Sequence, residues 1–258
     1  MSTLKSPPLI EAIFEVHWGE THPGQFNFSQ EEQSLFPIKF SSFASANGFS
    51  FQELVNNGAF HGAVLPRLVS HRYRKQADKW PCYQTGLGVF TVNQIADGYD
   101  WTDFHVDIKK GTSIFFQALG AQLKDVANTG YAQLKYQDAF FQKDEESLES
   151  FLKSTFNVNI SLPSSFFDKD EIKKSYSSIN FTSSIESLSP KGRVDIVIAN
   201  AIISGKPGIL METVVTSKIS DISQKIEYLA DDIMNWSDSA HKLQKHAFST
   251  LIKKSGED

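Results

Sequence analysis

Leu9-Ile-Glu-Ala-Ile-Phe-Glu-Val-His-Trp18 alternates: Ile10, Ala12, Phe14, Val16 and Trp18 fall on one side, and Glu11, Glu15 and His17 on the other. A period of two belongs to a strand, and one apolar face with one polar face describes a sheet covered on a single side. Pro7-Pro8 ahead of it keeps the approach extended and supplies no ladder donor.

Outward from this strand, Gly19 to Ser29 is polar. Residues 30–47 then place Phe36, Phe40, Phe43 and Ala44 at helical spacing, with Pro37 near the start and Gly48 at the end. Residues 64–75 and 81–95 read as two strands joined by the polar turn Gln76-Ala-Asp-Lys79, with Gly86 and Gly88 marking a bulge or bend in the second. Trp101 to Leu123 is helical, carrying Phe104, Ile108, Phe115, Leu119 and Leu123, and Gly111 interrupts it. Tyr131 to Phe141 is again a strand, and Glu145 to Phe156 a helix. Strands at 172–186, 193–204 and 208–217 follow, punctuated by Gly192 and Gly205-Lys-Pro-Gly208. A long amphipathic helix from about Ser220 carries Ile222, Ile226, Leu229, Ile233, Trp236, Ala240, Leu243, Ala247 and Leu251, and Asn235 to Asp238 is a candidate break within it.

Hairpins outnumber helical crossovers in this order, which argues against a doubly wound parallel sheet. The expectation is an α+β protein of pseudo-duplicated strand-helix-strand-strand halves, 1–128 and 129–258, within one compact unit. Its antiparallel sheets are covered by helices, and a long helix ends the chain.

Composition narrows the function classes. The 258 residues are 40% hydrophobic and include 21 phenylalanines, enough for an aromatic-rich core. A net charge of −5 offers no general attraction to a polyphosphate backbone. The single cysteine, Cys82, excludes an intrachain disulfide and a multi-cysteine zinc site. With no apolar leader and no run of apolar residues long enough to span a bilayer, the expected location is cytoplasmic, without a membrane partner.

Phosphate-loop, dinucleotide, zincin and nucleophile-elbow motifs are absent. His17, His22, His61, His71, His105, His241 and His246 form no ligand-spaced cluster; His241 and His246, five apart, fall on different faces of a helix. No metal and no cofactor is expected. Cys82 paired with His71 would suit nucleophilic chemistry, but a buried small hydrophobe is the simpler reading. The one local basic patch is the hairpin with Arg67, His71, Arg72, Arg74, Lys75 and Lys79 around Tyr73 and Trp80. Such a hairpin suits either a binding surface or a solvated face. Asp97 and Asp103 suit a paired acid and base, but capping roles explain them and Asp100 with fewer assumptions.

Three stretches together resemble a sporadically distributed bacterial family of uncharacterised proteins of about this length. They are Pro8-Leu-Ile-Glu-Ala-Ile-Phe-Glu-Val, then Leu87-Gly-Val-Phe-Thr-Val-Asn93-Gln with Tyr99-Asp-Trp101-Thr-Asp-Phe104, and Ser239-Ala-His241 through Phe248. The resemblance implies no catalytic residues; Asn93, Trp101, His241 and Phe248 read as packing and capping positions. It implies cargo of mobile elements, such as defence or toxin-neutralising loci.

The resulting expectation is a non-enzymatic binding or regulatory protein that contacts another protein through Arg67, His71, Arg72, Arg74, Lys75 and Trp80. The alternative is a metal-dependent enzyme acting on nucleic acid or a nucleotide, with Asp97, Asp103, His71 and Arg74 converging. A third reading is a homodimer formed through an apolar stripe exposed on the final helix.

Overall fold

The alternation at residues 9–18 builds the central strand of a nine-stranded sheet. A computed structural model describes residues 8–55, 65–143, 146–159, 161–173 and 175–253. Pro7, His61, residue 64 of the expected strand 64–75, Glu145 and residue 174 lie outside the described residues. The strands are β1 (Leu9–His17), β2 (Glu20–His22), β3 (Gln25–Phe26), β4 (Phe51–Leu54), β5 (Val69–Arg74), β6 (Cys82–Gly86), β7 (Val89–Ile95), β8 (Tyr131–Phe141), β9 (Asn180–Leu188), β10 (Lys191–Ile203) and β11 (Lys206–Lys218). The helices are α1 (Gln30–Ser34), α2 (Phe36–Ala46), α3 (Trp101–Leu119), α4 (Leu123–Thr129), α5 (Leu148–Thr155), α6 (Ile219–Ile222) and α7 (Leu229–Leu251).

The sheet order is β4-β5-β6-β7-β1-β8-β11-β10-β9, antiparallel throughout, with β2-β3 a separate small hairpin. In each half a first strand leads to a helix, then to a meander whose last strand returns beside the first, then to a helix on the sheet face. β1 and β8, the two first strands, pair with one another (Phe14 opposite Leu134), so the halves share one sheet.

One face is apolar. Ala12, Phe14, Val16, Phe90, Val92, Leu134 and Val215 meet Phe36 and Phe40 of α2, Phe104, Ile108 and Phe115 of α3, and Ile233, Trp236 and Ala240 of α7. Each Val, Leu, Ile or Phe among them contributes roughly 1.5–3 kcal/mol by burial, and ring pairs such as Phe90–Phe115, 4.7 Å between centroids, lock the layer. A second cluster, Phe151 and Leu152 of α5 against Ile198, Ile209 and Met211, covers the far half. The opposite face is polar, as an antiparallel sheet permits: Asn93 donates to Glu11, Gln133 to Thr216 and Gln137 to Glu212, and Lys135 pairs with Glu15.

Several local readings change. The stretch 81–95 is not one bulged strand but the hairpin β6-β7, turning through Leu87-Gly88 with Gly88 at φ +76°. α3 runs through Gly111 and stops at Gly120. Gly111 is needed for contact, since a Cβ there would lie 2.9 Å from Tyr83 and Val92. α7 is unbroken across Asn235–Asp238, where Ser237 is buried and bonds back to the Met234 carbonyl. Ser220 belongs to the separate short α6, and Ile226 is exposed. The last hairpin turns at Ser204-Gly205, both left-handed. The apolar stripe of α7 (Leu229, Ile233, Trp236, Ala240, Ala247) is buried, not displayed. Among the described residues, no helix is long and apolar enough to cross a membrane.

Candidate functional site

Four side chains of α7 share one helix face at the i, i+3, i+4, i+7 positions: His241, Gln244, Lys245 and Phe248. They lie over the apolar side of β8 and β11, where Tyr136, Asp138 and Thr213 point towards them. Pro8 and Leu9 at the entry to β1 and Tyr99 ahead of α3 complete a cavity of about 600 Å³.

A hydrogen-bonded row forms one wall. The hydroxyls of Tyr99 and Tyr136 are 2.5 Å apart, and the Tyr136 hydroxyl is 2.9 Å from His241 Nδ1. The His241 ring stacks on Trp101 at 4.0 Å, and Trp101 Nε1 donates to Asp238 Oδ1 at 3.1 Å. Burial, reinforced by Lys245, pushes the His241 pKa down to about 4, against the pull of Asp238. With the proton on Nε2, Tyr136 donates to His241 and Tyr99 to Tyr136; with the proton on Nδ1 both bonds reverse, and the row is paired in either tautomer. Burial also pushes the Tyr99 hydroxyl up to about 12 and that of Tyr136 further. The row is therefore neutral and internally satisfied.

The floor is different. Asp138 is 5% exposed, and among the described residues no donor meets its carboxylate; burial alone raises its pKa to about 7. Gln244 is 4% exposed; its Nε2 donates to the carbonyls of Leu134 and Thr213, both at 2.7 Å, while its Oε1 is buried without a partner. The two carbonyls fix the amide orientation, since the reverse would set three acceptors together. The unpartnered Gln244 atom is thus an acceptor, and it is closed off from solvent. A neighbouring open groove of about 740 Å³ shares Pro8 and Leu9 but is walled mainly by apolar groups such as Phe140, Phe141 and Ile203. Its polar lining is Asp97, Thr155 and Ser204.

The hairpin residues do not form one surface. Arg67 pairs with Glu20 at 2.6 Å and lies over the rings of Phe26 and Tyr131. Arg74 is buried, 3.5 Å from both Glu53 and Asp78, with Trp80 beneath it. Lys75 covers Phe49. Strand alternation sends His71 and Arg72 to opposite faces; His71 bonds to Ser70 and its pKa is lowered by burial, and Arg72 Nε is buried without a hydrogen bond.

Asp97 and Asp103 are exposed at the β7–α3 turn and the first turn of α3, where Asp100 is the cap. No contact among the described residues joins them to His71 or Arg74. Among the described residues no three His, Cys, Asp or Glu side chains gather as metal ligands. Cys82 is buried beside Gln84, and burial pushes its thiol up to about 11, opposite to what a nucleophile needs.

The residues missed by sequence reasoning are Tyr136, Asp138 and Gln244. Their signal was phase: Asp138 falls on the same alternation as Ala132, Leu134 and Tyr136, and Gln244 sits within the packed side of α7. Trp101, His241 and Phe248, read as packing and capping positions, stand at or beside the cavity wall together with Pro8 and Tyr99. Asn93 lies on the opposite sheet face. No protein-family description, curated protein or solved structure matches this chain.

Proposed function

We propose that this protein is a non-enzymatic binding protein whose ligand is a small, largely apolar molecule held between α7 and the β8–β11 face. One observation carries the reading: the Asp138 carboxylate, 5% exposed, meets no donor among the described residues and lines a cavity whose size falls within the range of about 300–1,000 Å³ used for small ligands. An unmade buried hydrogen bond costs about 1–3 kcal/mol, and a ligand that supplies the donor recovers it. The satisfied, neutral Tyr99–Tyr136–His241 row supports a rigid wall over a reactive group.

Ligand-observed NMR against a panel of small apolar compounds tests this, with Leu9→Trp as a cavity-filling variant. Compounds that bind the parent chain and not the variant are expected. No binding, or binding indifferent to the substitution, would contradict it. A second reading, proton abstraction by Asp138, is favoured by the same carboxyl titrating at about 7; chemical turnover of a bound compound would select it. A cytoplasmic location and a protein partner belong to the proposal, and a defence or toxin-neutralising role rests on the resemblance alone.

A further inference from the structure

We infer that the cavity selects a small organic cation, an amidinium, guanidinium or ammonium group on an apolar body, with its N–H donors directed at the Asp138 carboxylate. The inference rests on the reading of the cavity as the binding site and names what enters it. Gln244 Nε2 is committed to two carbonyls, and Tyr99, Tyr136 and His241 are bonded to one another, while the buried Asp138 carboxylate meets no donor among the described residues. A ligand that satisfies it must bring donors.

The charge of the floor points the same way. A cation pairs with the Asp138 carboxylate by charge-assisted hydrogen bonds, the strong kind. The rings of Tyr99, Tyr136 and Phe248 line the cavity and supply the aromatic surroundings that suit a cation on an apolar body. Lys245, exposed at the rim on the turn after Gln244, repels a second positive charge and favours a neutral or anionic outer end.

The test uses benzamidinium, benzamide and benzoate, matched in shape, titrated into the full chain, Asp138→Asn and Leu9→Trp by calorimetry or ligand-observed NMR. Benzamidinium is expected to bind about tenfold or more tightly than benzamide, benzoate most weakly, and Asp138→Asn to remove the preference while the chain stays folded. Benzamide or benzoate binding as well as benzamidinium, with loss in Leu9→Trp, would overturn the cation and leave the cavity reading standing. Benzamidinium binding that survives Leu9→Trp would place it elsewhere and overturn the inference. Failure of all three to bind would count against both.

Discussion

Replacing Asp138 by Asn should make the protein more stable, and more so the higher the pH. Burial raises the carboxyl from 3.8 to about 7, with no partner to offset it. At about 1.4 kcal/mol per pH unit, the ionised form in the fold costs about 4 kcal/mol relative to the unfolded chain. The folded pKa lies above the unfolded one, so the native state holds the proton longer. The stability this contributes is fully present below about pH 3.8 and is lost as the pH rises through about 7. Asn keeps the shape and carries no charge, so its curve lacks that loss. His241 and Glu11, whose pKa values are also shifted by burial, titrate in both chains and cancel in the difference. Urea unfolding of parent and variant between about pH 4 and pH 8 is expected to show the gap widening by about 2–4 kcal/mol in favour of Asn. Parallel curves would refute the reasoning, because the carboxylate would then be hydrated or partnered.

Tyr136→Phe should destabilise by about 1–3 kcal/mol, leaving the Tyr99 hydroxyl and His241 Nδ1 without their shared partner, whereas Tyr99→Phe removes only the outer hydroxyl and should cost about 1 kcal/mol; denaturant unfolding separates the two. Gly111→Ala should destabilise by about 1–3 kcal/mol despite the better helix former, because its Cβ meets Tyr83 and Val92. A stabilised variant would show that α3 rides further from the sheet. Cys82 should resist a disulfide reagent at about pH 8 in the native chain and react on unfolding, as a buried thiol raised to about 11 requires; rapid native labelling would contradict that.

Local periodicity carried the elements because one buried face imposes it: β1 and β8 alternate cleanly, and α7 keeps its stripe from Leu229 to Leu251. What pairs with what was not local. The union of β1 with β8, across more than a hundred residues, turns two expected sheets into one. The short edge strand β4 has too few residues to show a period. Gly86 and Gly88 fit a bulge as well as a turn, and the strands' partners decide between them. The hairpin looked basic because Glu20 and Glu53, which pair with Arg67 and Arg74, come from other elements. The cavity was legible only in fragments. Asp138 is a carboxylate in the apolar phase of β8, a signal the sequence reading passed over, and its neighbours arrive from β1, β11, α7 and the approach to α3.

Backbone amide shift mapping with benzamidinium tests the central claim most directly, since it asks where a ligand lands on the folded chain. The account predicts changes concentrated at Leu134–Ala139, Thr213 and His241–Phe248, absent in Leu9→Trp. Changes centred on Arg67–Trp80, or none in the residues around Asp138 and Gln244, would contradict it.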